Sequence, residues 1–165
     1  MEKNIILNNK QINQKTKRIA YQILEVCSKD KSIVVAGIVG NGFVFAKKLI
    51  KELETISELN CKLCEVTINK KNPRSSISTS LSAEEYKNQT LILVDDVLNS
   101  GSTLIYGIKH FLDVPLKQFK TAVLVNRNHK KYPVKAEFKG ISLSTSLNEH
   151  VEIVLSGKQY EAYLE

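Results

Sequence analysis

Leu91-Ile92-Leu93-Val94-Asp95-Asp96-Val97-Leu98-Asn99-Ser100-Gly101-Ser102-Thr103-Leu104 is the stretch on which both fold and chemistry turn. Four apolar residues form a buried strand that delivers two carboxylates, Asp95 and Asp96, to its C-terminal tip. Adjacent carboxylates repel one another, and their burial is costly unless a cation or hydrogen-bond donors compensate. A hydrophobic core has no use for such a pair. A vicinal diol suits it, because each hydroxyl donates to an ionised oxygen. Val97, Leu98, Asn99, Ser100, Gly101, Ser102 and Thr103 continue into a loop rich in small hydroxyl residues. Gly101 admits a left-handed turn, and Ser102 or Thr103 is expected to cap a helix over 102–112. Amide hydrogens that converge at a helix N-terminus make an anion site. A diol cradle beside a phosphate cradle describes a ribose 5-phosphate.

The strand at Thr90 to Val94 belongs to an alternating pattern. Upstream, Ile12, Thr16, Ile19, Ala20, Ile23, Leu24 and Cys27 fall on one face of a helix over 10–28. Ser32 to Ile38 is a short β-branched run and reads as a buried strand. Val39-Gly40-Asn41-Gly42 turns the chain into a second helix, with Phe45, Ala46, Leu49, Ile50, Leu53 and Ile56 at helical spacing. Lys62 to Ile68 is the next strand. Residues 69–88 begin with polar, basic and turn-rich sequence, and a loop of that length in a compact domain is functional or disordered. Phe119 to Val125, Val134 to Phe138 and Val151 to Leu155 are expected as further strands. The result is an α/β chain, residues 1–165 forming one domain around a mostly parallel sheet with helices on both faces. Ligands on such sheets bind beyond the carboxyl ends of the strands.

Other phosphate-binding patterns do not compete. G-x-x-x-x-G-K-[ST] is absent, and Gly37, Gly40 and Gly42 have the wrong spacing for G-x-G-x-x-G. Receiver domains also place paired Asp after an apolar run, but there the pair closes the first strand. Here the pair lies past the middle of the chain, with too little sequence after it for such a domain.

The formal charge of +7 favours anionic partners, phosphorylated small molecules or nucleic acid, without choosing between them. No stretch approaches the roughly 18 apolar residues of a membrane span. Met1-Glu2-Lys3-Asn4 is followed by no signal-peptide core, so a cytoplasmic protein is expected. Three cysteines cannot all pair. Cys61 and Cys64 form a C-x-x-C, but a zinc site wants about four ligands and a redox pair opens a helix, whereas this pair sits in a strand. Free thiols are expected. His110 falls late in a helix, where it complements the dipole.

Val94 to Thr103 resembles the binding signature for phosphoribosyl pyrophosphate (PRPP) in type I phosphoribosyltransferases. Lys17-Arg18-Ile19-Ala20, Ala36-Gly37-Ile38 through Ala46-Lys47-Lys48-Leu49, and Ala122-Val123-Leu124-Val125-Asn126-Arg127-Asn128-His129 are similar to the PyrR family. That family comprises pyrimidine operon attenuators and uracil phosphoribosyltransferases. The tail from Pro133 through Gly140 to Leu155 is similar as well, so the resemblance spans nearly the whole chain.

The resemblance implies a type I phosphoribosyltransferase fold with a small hood over the base. It also implies a homo-oligomer and an enzyme that joins PRPP to a nucleobase, uracil in the first instance, with Mg²⁺. By the same resemblance Asp95 and Asp96 hold the ribose hydroxyls and act in catalysis, and Asn99 to Thr103 hold the 5-phosphate. Val39, Gly40, Asn41 and Gly42 face the pyrophosphate, while Lys70, Lys71 and Arg74 sit on the flexible loop. Arg18, Asn126, Arg127 and His129 lie on the base or RNA side. Mg²⁺ is held mostly through substrate and water, with Asp95 and Asp96 the protein ligands in reach. The turn Val39 to Gly42 lacks the basic residues that the family carries there. One missing contact to the leaving group is worth about 2.7–4 kcal/mol by analogy with oxyanion donors. Two alternatives follow. One is a nucleotide-sensing RNA-binding regulator, with Arg18, Arg127, His129, Lys130 and Lys131 meeting phosphates. The other is a catalytically weak sensor that keeps the PRPP fold.

Overall fold

Alternation of apolar side chains along three central strands divides the interior into two cores, one on each face of a single sheet. The computed structural model describes residues 3–165, so Met1 and Glu2, at the start of the segment read for a leader, lie outside it. The elements run β1 (Asn4–Leu7), α1 (Asn9–Val26), β2 (Ser32–Ile38), α2 (Asn41–Ile56), β3 (Asn60–Thr67), β4 (Ser78–Thr79) and α3 (Ala83–Tyr86). They continue with β5 (Thr90–Leu98), α4 (Ser102–Phe111), β6 (Gln118–Arg127), β7 (Phe138–Leu143), β8 (Val151–Val154) and β9 (Glu161–Leu164).

Six strands form the main sheet in the order β4-β3-β2-β5-β6-β7, all parallel except β4, which runs antiparallel to β3. Ile33, Val35, Ile92, Val94, Ala122 and Leu124 face α1 and α2 and pack on Ile19, Ile23, Phe45 and Leu49. Their neighbours Val34, Ala36, Leu91, Leu93 and Val123 face α3 and α4 and pack on Tyr86, Leu104 and Phe111. Each valine, leucine, isoleucine or phenylalanine among them, buried fully, contributes about 1.5–3 kcal/mol. Period-2 alternation of this kind requires apolar residues at every position, which is why the central strands read as unbroken hydrophobic runs.

Helix α1 starts where the side chain of Asn8 accepts from the Gln11 amide at 2.9 Å and the Gln11 side chain accepts from the Asn8 amide at 2.9 Å. This reciprocal cap contributes about 1 kcal/mol and fixes the start of the helix.

Several boundaries differ from those expected. The strand expected at Val134 to Phe138 instead begins at Phe138, because Val134 is drawn away to pack on Gly101. The long segment after Ile68 is not structureless. It returns β4 to the edge of β3 and carries α3, whose Ser82 and Glu85 form a capping box. Strands β1 and β9 were not expected. They pair antiparallel with each other and, through β9, with β8, making a separate three-stranded sheet from both ends of the chain. The Asn41 side-chain amide donates to the Ile153 carbonyl at 2.8 Å, which fastens this small sheet to the start of α2. Cys61 and Cys64 lie in β3 on opposite cores, and both are free, as is Cys27.

Candidate functional site

Strand β5 runs four residues further than its apolar run. Its pairing with β2 stops at Gly37↔Val94, whereas Asp95, Val97 and Leu98 still pair with Val123, Val125 and Asn126 of β6. The acids therefore sit inside the strand rather than at its tip, on a stretch paired along one edge only. The opposite edge faces the N-terminus of α2. There a Cβ on Gly42 would meet Asp95 Oδ1 at 2.8 Å and Asp95 Cα at 3.1 Å. Only glycine lets the helix approach the acid this closely.

Asp95 is 4% exposed. Its Oδ1 accepts from the Asp96 amide at 2.9 Å, and Asp96 Oδ1 accepts from the Val97 amide at 2.9 Å. Lys70 Nζ stands 3.4 Å from Asp95 and 4.0 Å from Asp96. Burial pushes the Asp95 carboxyl up to about 8, the Asp96 charge adds to the rise, and Lys70 opposes it. The fold thus holds an under-compensated acid pair, the condition that a diol or a cation relieves.

Asp95 and Lys70 form one wall of a cavity of about 240 Å³, and Leu98 to Leu104 form the other. Gly101 occupies the left-handed region at φ 86° and is itself the cap position of α4. Ser102 and Thr103, expected as caps, are instead the first two helical residues, because the left-handed turn ends one residue earlier. Gly101 has no side chain to cap the helix; Ser100 Oγ accepts from the Ser102 amide at 3.2 Å, and the rest of the first turn opens on the cavity. The loop is braced from behind. The Lys131 and Tyr132 amides both donate to the Ser100 carbonyl, at 2.8 and 3.1 Å, and Val134 fills the space where a Gly101 side chain would go.

The other expected residues disperse. In the turn before α2, the Val39 amide donates to the Val66 carbonyl at 2.8 Å and Gly40 has φ 93°. The Asn41 side chain is bound to β8 and does not reach into the cavity. Lys71 is exposed, and Arg74 borders a separate groove with Tyr106, Lys109, His110 and Tyr132, so Lys70 alone of the loop cations lines the acid cavity. Arg18, on α1, donates to the Lys139 and Gly140 carbonyls of β7. Asn126 donates to Ser142 Oγ at 3.2 Å. His129 bonds the Thr145 carbonyl. Arg127, placed by sequence among residues facing the base or RNA, is 6% exposed and directs its guanidinium inward to Asn99, Thr145, Ser146 and Glu149.

Tyr132, Val134 and Thr145 went unnoticed in the sequence. Each acts by contact with a residue far along the chain, and nothing in its neighbours signals that contact.

Buried Asp95 and partly exposed Asp96, facing a glycine-bearing helix N-terminus at the carboxyl ends of parallel strands, make up the kind of site at which α/β proteins bind sugar phosphates. The chain belongs to the phosphoribosyl transferase domain family, whose model matches residues 3–156. Within that family it is a phosphoribosyltransferase similar to curated proteins named Bifunctional protein PyrR. The protein of that name from Macrococcus caseolyticus is 30% identical over 162 residues, covering 94% of this chain and 93% of the relative. That from Corynebacterium glutamicum is 31% identical, covering 92% and 85%. Among solved structures, the hypoxanthine phosphoribosyltransferase of Trypanosoma cruzi superposes with a TM-score of 0.77 at 17% identity, covering 90% of this chain and 84% of that one. A hypoxanthine-guanine phosphoribosyltransferase from Bacillus anthracis gives 0.73 at 22% identity, covering 87% and 85%. At these identities the solved structures speak for the fold alone.

Proposed function

We propose that this phosphoribosyltransferase transfers the 5-phosphoribosyl group of PRPP to uracil, forming UMP and pyrophosphate. The observation that carries the reading is the single cavity shared by Asp95 and the loop Leu98 to Leu104. Asp95 and Asp96 accept the two ribose hydroxyls, and the amides around Gly101 hold the 5-phosphate. The ring is thereby fixed at both ends, which lowers the entropic barrier to attack. A uracil N–H nitrogen forms the new bond at the anomeric carbon as the bond to pyrophosphate breaks; the electron pair of that bond leaves with pyrophosphate, which takes up the proton released from the nitrogen. Positive charge develops on the ribose, and the neighbouring carboxylates stabilise it. Catalysis is positioning and charge stabilisation, so no cysteine or serine is needed as a nucleophile. The Val39 amide is bonded to Val66, so the turn would meet the pyrophosphate with the backbone amides from Gly40 to Gly42, and Lys70 would supply the positive charge that the turn lacks.

The residues fit Mg²⁺. Asp95 and Asp96 form an under-neutralised pair, while the described residues hold no cluster of three or more potential protein ligands. A divalent ion would therefore take most of its ligands from substrate and water and would neutralise the departing pyrophosphate.

The two cores on opposite faces of one sheet support a single domain over residues 1–165. Three free thiols suit a reducing cytoplasm, and no helix among the described residues is long and apolar enough to cross a membrane. Exposed Tyr21, Leu112 and Leu147 support a homo-oligomer, which sedimentation velocity reads directly. An RNA partner would meet exposed Lys130 and Lys131, with Arg18 exposed but partly engaged by the Lys139 and Gly140 carbonyls, because Arg127 and His129 bond within the protein. Binding of leader RNA that is insensitive to salt would defeat that part.

A panel of nucleobases with labelled PRPP and Mg²⁺ tests the main reading. UMP from uracil is expected. Turnover of hypoxanthine or guanine alone would refute it.

A further inference from the structure

Arg127 closes β6 where the phosphate loop and the connection that follows β7 come together. All of its donor groups point into the protein. Nη1 donates to Asn99 Oδ1 at 3.0 Å, reaching the first residue of the phosphate loop. Nε and Nη2 both donate to Thr145 Oγ1, at 2.9 and 2.8 Å. Nη2 also donates to the Glu149 carbonyl at 2.7 Å and the Ser146 carbonyl at 3.3 Å. Residues 144–150 are the connection from the main sheet to the small sheet of β1, β9 and β8. The connection is tied to the same end of β6 twice more, by the Thr145 amide on Asn128 Oδ1 at 3.3 Å and by the His129 ring on the Thr145 carbonyl.

We propose that Arg127 is a positioning residue that sets the phosphate loop and the connection to the small sheet in one register, so that the grips on the two substrates are coupled through one side chain. The inference rests on the reading of this site as a PRPP and nucleobase site, with the small sheet on the base side. The physical basis is the planar guanidinium fork. It presents five N–H donors in fixed directions, so moving the acceptors on one side tilts the donors offered to the other. A buried guanidinium must also keep its acceptors satisfied, which makes independent motion of the two partners unfavourable. A lysine keeps the charge but loses the fork. Asn99 and Thr145 each bond Arg127 through the side chain, and they share no direct hydrogen bond with each other.

The test crosses the readouts. Thr145→Val removes two acceptor contacts on the base side and is expected to raise the KM for PRPP. Asn99→Ala removes the contact on the phosphate side and is expected to raise the KM for uracil. Each rise should be on the order of threefold to tenfold, the span of a typical hydrogen bond. The double variant should be no worse than the poorer single, because both changes disable the same link. Thr145→Ser, which keeps the hydroxyl, restores the wild-type constants, and Arg127→Lys gives both defects together with a lowered thermal midpoint. Effects confined to the substrate on the variant's own side, or effects that multiply independently, overturn the coupling. Wild-type protein that forms no UMP defeats the uracil reading instead. Coupling is then read by calorimetry with PRPP and Mg²⁺, where unchanged affinity in Thr145→Val overturns it.

Discussion

Replacing Asp95 by Asn should make the substrate-free protein more stable at pH 8 while abolishing its grip on PRPP. The side chain is 4% exposed, beside a second carboxylate, and its folded pKa is raised from 3.8 to about 8. Between those values the folded protein holds a proton that the unfolded chain has released. Stability therefore falls as pH rises through this window, by about 1.36 kcal/mol per pH unit at most. Over four units the ceiling is roughly 5 kcal/mol. Solvent reaches Asp96 and Lys70, whose side chains are 15% and 48% exposed, and screens part of the repulsion. A gain of about 2–4 kcal/mol for Asp95→Asn at pH 8 is the expected outcome. Urea unfolding at several pH values measures it. With a slope of about 1–3 kcal/mol per molar urea, the midpoint should move by roughly 1–2 M at pH 8. The two proteins should converge below pH 4, where both states of the wild type are protonated. PRPP with Mg²⁺ should stabilise the wild type alone. Equal midpoints at pH 8, or a wild type that gains stability relative to the variant from pH 5 to 8, would refute the account of a strained acid pair.

Replacing both Asp95 and Asp96 by Asn should leave a folded protein that shows no heat of PRPP binding in calorimetry. Gly101→Ala places a side chain at φ 86° and drives its Cβ against Val134, so it should destabilise the protein by about 1–2 kcal/mol or more and raise the dissociation constant for PRPP. A thermal scan and a binding titration check the two halves separately. Lys70→Ala removes the cation beside Asp95. It should raise the pH at which that carboxyl ionises and lower kcat/KM, visible as a shifted pH–rate profile. Burial pushes the thiols of Cys27 and Cys61 up to about 11, so neither should react appreciably with an alkylating reagent at pH 8 until urea is added.

Much of the fold was legible because its signals are local. The runs at Ser32–Ile38 and Thr90–Val94 are apolar at consecutive positions, which only a strand covered on both faces requires. The acid pair and glycine loop were legible because their chemistry lies within ten consecutive residues. The same locality explains the failures. Strands β1 and β9 are four residues each and become strands by pairing with each other across nearly the whole chain. Strand β7 starts late because Val134 has its own task against Gly101, a contact that no window around Val134 reveals.

Asp95 and Asp96, the Gly101 turn and the parallel order of the strands could be read along the chain, since each depends on residue type and spacing. Whether a given cation faces the ligand depends instead on burial and on partners distant in sequence. Arg127 and Arg74 look alike as basic residues beside turns. Folding buries the first against Asn99 and Thr145 and leaves the second on an outer groove. A guanidinium goes where its donors find acceptors, and those acceptors are assembled only when the sheet, the loop and the connection to the small sheet meet.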